Sequence, residues 1–148
     1  MRLATLDDLH LVAPVNAAMA EAESGINPLE KDREGFLSRC ARRINKNRVW
    51  VVVEDDKSIF KADVQAETPE VIYLEGVYTS PEARGTGLAR RCFTQLCQSL
   101  LARTRSICVL ANEENEKANA FYRMCGFKRI SNYDTVFLKK EPASEVIN

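Results

Sequence analysis

The clearest pattern of apolar and polar positions runs from Val71 to Arg103. It begins with a run of β-branched and aromatic residues, which is typical of a half-buried strand. After a turn that contains Gly85 and Gly87, apolar residues recur at spacings of three and four, and this periodicity predicts an amphipathic helix. The two apolar rows of the helix consist of Leu88, Cys92, Leu96 and Leu100, and of Ala89, Phe93, Cys97 and Leu101.

Shorter patterns on both sides predict the other elements. Residues 2–4 are typical of a short first strand, and Thr5 with Asp8 forms a capping-box pattern that opens the first helix. Helix-breaking residues between positions 21 and 28 predict a loop. The remaining predicted elements are a helix at 32–46, strands at 49–53, 59–66 and 106–110, a helix at 118–125, and closing strands from 127 onward in a hairpin around 132–134.

The order of these elements predicts the fold class. Along the chain it is β, α, α, β, β, β, α, β, α, β, β, which predicts a mixed sheet flanked by helices in an α/β (α+β) domain. A chain of 148 residues is long enough for one domain with a sizeable core. We expect this domain to cover residues 1–140, and residues 141–148 to form a flexible C-terminal tail.

The turn between the central strand and helix is predicted to bind an anion. Its glycines lack the Cβ atoms that keep a ligand away from the backbone, and the first amides of the helix have no intrahelical acceptor. With the helix dipole, these groups favour a phosphate or pyrophosphate. The turn is not a Walker A loop, because Leu88 follows Gly87, and it is not a dinucleotide fingerprint, because Arg90 replaces the third glycine. The pattern present is Arg84-x-x-Gly87-x-Ala89.

This pattern resembles the acyl-CoA-binding motif of the GCN5-related N-acetyltransferase (GNAT) superfamily. A second stretch, about 30 residues further on, resembles the C-terminal helix and following strand of the family, and it reads Asn115-x-x-Ala118-x-x-Phe121-Tyr122-x-x-x-Gly126-Phe127. The resemblance covers nearly the whole chain, from residue 2 to residue 138. It implies a mixed, mostly antiparallel sheet of six to seven strands, about four helices, and one pair of parallel strands that splay apart.

The resemblance also implies a site for acetyl-CoA, as cosubstrate, and no metal. The pyrophosphate is expected on the amides of the glycine turn, and the pantetheine arm between the splayed strands 71–79 and 106–110. One backbone amide near Val77 or Thr79 is expected to polarise the acetyl carbonyl. The residues expected to bind the coenzyme are Val77, Tyr78, Thr79, Arg84, Gly85, Thr86, Gly87, Leu88, Ala89, Asn115 and Tyr122.

Tyr122 stands where many family members have a proton donor for the departing thiolate. An ordinary tyrosine is protonated at pH 7, which suits a general acid. The alternative is a core aromatic residue next to Phe121. By resemblance Asn115 hydrogen-bonds the coenzyme arm, and a plain helix N-cap explains this residue equally well.

Glu75 is the first candidate for the base, because several family members place a carboxylate on the central strand. A charge inside an apolar strand is costly unless it is paired or functional. Strand alternation predicts that Glu75 shares one face with Tyr73, Val77 and Thr79. Asp63 on the preceding strand is the second candidate, with a salt bridge to Lys61 as the alternative explanation.

His10, the single histidine, has the intrinsic pKa of a base. Its place on the first predicted helix favours a surface role. Many enzymes of this family need no dedicated base, since the amine arrives partly neutral or loses its proton through water.

The function implied by the resemblance is transfer of an acetyl group from acetyl-CoA to a primary amine of a small molecule or peptide, by direct attack in a ternary complex. The acceptor is expected to meet the first two helices with their loop at 21–29, and the hairpin at 132–134. Glu21, Glu23 and Glu75 are expected to favour a cationic amine. The alternative is a non-catalytic acyl-CoA-binding or regulatory module, because a fold does not fix a function. The presence of both a proton donor and a candidate base favours the enzyme.

Composition narrows the partners. The 21 basic and 21 acidic side chains cancel, so no global field attracts nucleic acid or an anionic membrane. Five basic residues between positions 39 and 48 form either a solvated helix face or a patch for an acidic substrate or the coenzyme nucleotide, and no aromatic residue among them offers stacking.

No apolar run approaches the roughly 20 residues that span a bilayer. The five cysteines lack metal-ligand spacing and are predicted to be reduced thiols of a cytoplasmic protein. A homodimer is compatible with the resemblance, because this scaffold often pairs.

Overall fold

The structure is a computed structural model, and it describes residues 1–134. The helices and strands follow the predicted succession closely. Two short 3₁₀ turns occupy Leu6–Asp8 and Pro81–Ala83. The other elements are β1 (Arg2–Leu3), α1 (Leu9–Ser24), α2 (Pro28–Lys31), α3 (Arg33–Asn45), β2 (Val49–Glu54), β3 (Lys57–Glu67), β4 (Val71–Thr79), α4 (Leu88–Leu101), β5 (Ser106–Val109) and α5 (Glu116–Met124).

One mixed sheet forms the centre of the described structure. Its strands lie in the order β1-β2-β3-β4-β5, with antiparallel pairing through β4 and parallel pairing between β4 and β5. The prediction of a mixed, mostly antiparallel sheet with one parallel pair is therefore confirmed. The predicted six to seven strands are wrong for the described residues, which contain five, because residues 127–134 adopt no regular strand conformation. The predicted strand residues 136–138 and the tail at 141–148 lie outside the described residues.

Two apolar layers cover the two faces of the sheet. On one face, α1 and α3 pack through Val12 and Ile44 against Val49 and Val51 of β2. On the other face, α4 packs against β3 and β4, and side chains of α5 complete that core. Its buried residues are Phe60, Ala62, Val64, Ile72, Leu74, Cys92, Phe93, Leu96 and Leu100. Both apolar rows of the predicted central helix contribute to this second layer. Their packing holds α4 against the sheet, so the loop from Thr79 to Leu88 has a fixed position beside β4.

A β-bulge at Gly76 interrupts β4. Asp63 lies opposite Glu75, and Lys61 lies opposite Tyr78. Asp63 and Lys61 are two positions apart on β3, whereas Glu75 and Tyr78 are three positions apart on β4, so β4 contains one extra residue. Gly76 has φ +59°, in the left-handed region that favours glycine. This extra residue reverses the side-chain alternation of β4 beyond the bulge.

The bulge corrects the predicted placement of Glu75. Val77 packs against the layer of α4 and α5, and Thr79 lies opposite Phe60, which faces the same layer. Glu75 instead points to the layer of α1 and α3, where it forms an ion pair with Arg43 of α3. Glu75 therefore does not share a strand face with Val77 and Thr79.

The predicted loop at 21–28 is shorter than expected. Helix α1 continues through Ser24 and ends at Gly25, which has φ +72°. Asn27 then caps a further short helix by accepting a hydrogen bond from the amide of Leu29, with Pro28 in its first turn. This additional helix, α2, raises the count of α-helices in residues 1–134 from the expected four to five.

Candidate functional site

The loop between β4 and α4 exposes a row of unpaired backbone amides. Within the described residues, the amides of Gly85, Thr86, Gly87, Ala89 and Arg90 donate no hydrogen bond. The first four-residue bond into α4 is that from Arg91 to the carbonyl of Gly87, at 3.1 Å. Five donors at an exposed helix N-terminus can hold a phosphate group, since their dipoles and the helix dipole all favour negative charge there.

Two glycines and one hydroxyl give the loop its conformation. Gly85 and Gly87 have φ of +74° and +80°, values that residues with a Cβ rarely adopt. The Thr86 hydroxyl donates to the carbonyl of Ala83 at 2.7 Å and accepts from the amide of Leu88 at 3.3 Å. The loop therefore turns back on itself and leaves its other amides without an acceptor among the described residues.

Arginine side chains border this row of amides. Arg84 Nε donates to the carbonyl of Thr79 at 3.1 Å, so this side chain ties the loop to the end of β4. A Cβ at Gly87 would lie 3.6 Å from Nη1 of Arg91, so the Arg91 guanidinium lies beside the glycine. Arg91 was not among the predicted site residues, although its place in the first turn of α4 was a signal for it.

The edge of β4 that faces β5 is open beyond Leu74. The parallel pairing ends at Leu74 and Val109, whereas β4 continues to Thr79. The amide of Ser80 points to β3, because it donates to the carbonyl of Ile59. Successive amides of a strand point to opposite edges, so those of Val77 and Thr79 point to the open edge. An extended ligand could pair with the backbone at this edge and end at the amide row.

Tyr122 lies on α5 in a cluster of aromatic rings on the same side of the sheet as Val77. Its ring centroid is 5.7 Å from that of Phe93, 5.6 Å from that of Phe121 and 6.0 Å from that of Phe127. Burial, with smaller contributions from Cys125, Tyr73 and Cys97, raises the pKa of Tyr122 to about 12. The hydroxyl therefore keeps its proton over the whole neutral range.

Asn115 is the N-cap of α5. Its side-chain oxygen accepts a hydrogen bond from the amide of Ala118 at 3.1 Å. At the other end of α5, Gly126 has φ +90° and ends the helix as its sequence position predicts. The cap explains Asn115 structurally, and its expected contact with a coenzyme stays a prediction.

Glu75 belongs to a chain of four charged residues on the face of α1 and α3. Nη1 of Arg43 lies 2.7 Å from a carboxylate oxygen of Glu75 and 3.4 Å from one of Asp63. Asp63 in turn accepts a hydrogen bond from Nζ of Lys61 at 2.7 Å, and both of these side chains are fully buried. The salt bridge considered for Asp63 is thus present, and Asp63 is inaccessible to a substrate. Glu75 remains partly exposed.

The basic stretch at 39–48 is divided among different partners. Arg39 pairs with Asp32 at 3.3 Å, and Arg48 donates to the carbonyl of Gln65. Arg43 turns inward to Glu75, whereas Arg42 is exposed. The sequence pattern indicated a positive helix face, but it could not identify Arg43 as the member that reaches β4.

His10 lies on the surface at the start of α1. Its ring nitrogens lie 2.7 Å from the carbonyl of Asp7 and 3.3 Å from the carboxylate of Asp56, and these contacts raise its pKa. His10 also lines two cavities of about 410 and 270 Å³ beside the first turns of α1. Neither cavity includes the amide row, Glu75 or Tyr122.

The cysteines, possible metal ligands and helix lengths of the described residues also bear on the predictions. All five cysteines are free thiols, and burial raises the pKa of Cys97 to about 12. Residues 1–134 contain no group of three or more His, Cys, Asp or Glu side chains arranged to hold a metal. None of the helices described is both long and apolar enough to cross a membrane.

Comparison with known proteins gives consistent matches to one family. A family model described as Acetyltransferase (GNAT) domain matches residues 45–129, more than half of the chain. No curated protein sequence matches the chain.

Solved structures match over nearly the full length. A probable acetyltransferase has a TM-score of 0.74 at 19% identity, with 94% of this chain and 96% of that chain covered. A predicted acetyltransferase from Clostridium acetobutylicum, solved with acetyl-CoA, has a TM-score of 0.68 at 19% identity, with 90% and 92% covered. AAC(6')-Iy, in complex with the bisubstrate analog CoA-S-monomethyl-acetylneamine, has a TM-score of 0.65 at 14% identity, with 95% and 97% covered. At these identities the structures share the fold.

Proposed function

The chain belongs to the GCN5-related N-acetyltransferase (GNAT) family of acetyltransferases, and from this membership we propose that it transfers an acetyl group from acetyl-CoA to a primary amine. The acceptor is a small molecule or a peptide, and the amine attacks the thioester directly while both substrates are bound. Relatives in fold that hold acetyl-CoA or a CoA-containing bisubstrate analog support the choice of cosubstrate.

The observation that carries this proposal is the row of five unpaired amides between Gly85 and Arg90. The pyrophosphate of acetyl-CoA lies on this row, with Arg84 and Arg91 beside it. From there the pantetheine arm follows the open edge of β4, where the amides of Val77 and Thr79 donate to it. One of these two backbone amides also donates a hydrogen bond to the acetyl carbonyl and polarises it as negative charge develops on the carbonyl oxygen.

The reaction forms a C–N bond and breaks the C–S bond of the thioester. Tyr122 donates a hydrogen bond to the sulfur as it leaves, and its raised pKa ensures that the hydroxyl carries a proton at neutral pH. The amine proton passes to Glu75 or to water, because Glu75 is the partly exposed carboxylate on β4. Asn115 contacts the coenzyme arm through the side-chain atoms that its cap leaves free.

The proposal is tested by isothermal titration of the protein with acetyl-CoA and with CoA. We expect micromolar binding to the wild type and its loss in Gly87→Glu, because the new side chain brings negative charge to the amide row and a Cβ to a residue with φ +80°. The matched control is Gly25→Glu, since Gly25 also has a left-handed φ, of +72°, and a Cβ at this residue would meet no atom within 4 Å. This control is expected to bind acetyl-CoA like the wild type.

Release of free thiol from acetyl-CoA in the presence of pooled amines then tests the enzyme against the non-catalytic module. Thiol release that requires both an amine and an intact loop supports the transferase. Tight binding without thiol release for any amine would favour the binding module, and no binding in the wild type would overturn the coenzyme site.

A further inference from the structure

The four charges beside the β4 bulge form two balanced pairs. Lys61 and Asp63 are 2.7 Å apart and fully buried, so each neutralises the other. Arg43 then depends on Glu75, 2.7 Å away, for its main counter-charge. The buried pair cannot exchange partners with a solute, whereas the side chains of Arg43 and Glu75 are 36% and 30% exposed. Only the outer pair is able to meet a ligand.

Each member of the outer pair keeps unused hydrogen-bonding atoms. Arg43 uses Nη1 for both of its carboxylate contacts, and neither its Nε nor its Nη2 donates to a described residue. Oε1 of Glu75 lies 2.7 Å from Nη1 of Arg43 in an ion pair, and Oε2 accepts no hydrogen bond from residues 1–134. The pair thus presents a positive donor edge beside a negative acceptor atom.

This arrangement opposes a purely cationic acceptor. An ammonium group that binds Glu75 comes close to the Arg43 guanidinium, and it also removes part of the counter-charge on which Arg43 depends. Both costs disappear if the same acceptor carries a carboxylate, because a guanidinium binds carboxylates through two parallel hydrogen bonds.

We propose that the acceptor is a small amino acid, whose amino group lies at Glu75 and whose carboxylate binds the free edge of Arg43. The inference rests on the proposed transferase function and specifies its acceptor. It differs from the cationic amine expected from the sequence, because the sequence did not reveal that Glu75 pairs with Arg43.

The remaining groups on this face suit the amino end of such a ligand. Tyr73 lies two residues before Glu75 on β4, so its side chain is on the same face of the sheet. Burial, followed by the Glu75 carboxylate, raises the pKa of Tyr73. The Glu75 carboxylate favours an ammonium group there, while Arg43 provides the site for an anion.

The test compares each amino acid with its carboxamide and with the amine that lacks the carboxylate, by thiol release from acetyl-CoA. We expect kcat/KM for the preferred amino acid to exceed that for its carboxamide by about tenfold or more, the effect of a charge-assisted hydrogen-bonded pair. Arg43→Gln is expected to reduce this preference to below about threefold, mainly through KM, with Arg43→Lys retaining part of it. Arg42→Gln, which removes an exposed arginine next to it, is the matched control and should keep the full preference.

Acetyl-CoA binding, measured for each variant, separates this inference from the proposed function. If carboxamides or simple amines are acetylated as well as amino acids, or if Arg43→Gln keeps the preference, the inference is overturned while the transferase stands. If no acceptor releases thiol, the amino acids and carboxamides are titrated into protein saturated with CoA. Binding of an amino acid that depends on Arg43 supports the site, and equal or absent binding overturns it.

Discussion

Among single residues, Tyr122 has a ring that packs against three aromatic neighbours, and its hydroxyl has a pKa raised to about 12. Tyr122→Phe removes the hydroxyl and leaves the packing of the ring unchanged. Because the variant lacks only the proposed donor to the thiolate, kcat should fall by about 10²–10³-fold, within the usual range for general acids. Acetyl-CoA affinity, measured by titration, should change little.

The control for this substitution is Ser99→Ala, which removes an exposed hydroxyl from α4 outside the aromatic cluster. This variant should keep wild-type kcat. An unchanged kcat in Tyr122→Phe, with thiol release limited by chemistry, would assign Tyr122 to the core alone.

Single residues were predictable from the sequence where a local rule governs them. Asn115 as a helix cap and Gly126 as a helix end follow from spacing along one element. The partner of Glu75 did not follow in this way, since Arg43 lies 32 positions away on another element and the contact arises only when α3 packs on the sheet. The sequence therefore predicted Glu75 as the candidate base but did not identify Arg43 as its ion-pair partner.

Within the elements, the bulge of β4 depends on the missing side chain of Gly76. A Cβ at this position would lie 3.0 Å from Nζ of Lys61 and 3.1 Å from a carboxylate oxygen of Asp63. In Gly76→Ala, left-handed strain of about 1–2 kcal/mol adds to an overpacking cost of about 1–3 kcal/mol. We expect urea unfolding to show a loss of about 2–5 kcal/mol in the free energy of unfolding, together with weaker acetyl-CoA binding.

Gly25→Ala separates the two costs of that substitution. Gly25 has a similar φ of +72°, and a Cβ there meets no atom within 4 Å. This variant should therefore lose only the backbone contribution, about 1–2 kcal/mol. Equal losses in the two variants would mean that the Lys61–Asp63 pair yields easily and does not hold the bulge.

Element types were predictable because apolar spacing governs them, and the misses have identifiable physical causes. Gly76, inside the strand pattern, was a signal for the bulge. The prediction assumed regular strand alternation without a bulge, and it therefore placed Glu75 on the wrong face, with Val77 and Thr79. Asn27 followed by Pro28 was a start signal for α2. The extra turn of α1 over residues 21–24 had a weaker signal, since polar residues continue a helix on an exposed face until a residue such as Gly25 ends it.

For the whole molecule, the sequence predicted the layers better than the sheet. Amphipathic helices imply a sheet covered on both faces, and both covering layers are present. Strand pairing depends on contacts between distant residues, so the one strand pair that was predicted, 71–79 with 106–110, came from the family resemblance. The proposed coenzyme site could be predicted from both sources, because its loop is a local feature, whereas the open edge of β4 depends on where β5 stops pairing.

The attachment of the first strand to the first helix makes the stability of the whole molecule depend on pH. Asp8 is buried and accepts two hydrogen bonds from the Arg2 guanidinium, at 2.7 and 2.8 Å, and one from the amide of Thr5. Chiefly through Arg2, these contacts lower the pKa of Asp8 from 3.8 to about 2. A carboxyl group with a lowered pKa in the folded state stabilises the fold above its unfolded pKa, and this contribution is lost as the pH falls toward the folded value.

Asp8→Asn should therefore reduce the free energy of unfolding at pH 7 by about 1–2 kcal/mol, a value that allows for the partial exposure of Arg2. The difference from wild type, measured by urea unfolding between pH 7 and pH 3, should shrink by roughly half at the lower end. Asp7→Asn is the matched control, because Asp7 is the exposed neighbour, and it should show a small difference that does not vary in this way. A constant gap between wild type and Asp8→Asn over the whole range would mean that the side chain acts through its shape and capping, and that its charge contributes nothing to the fold.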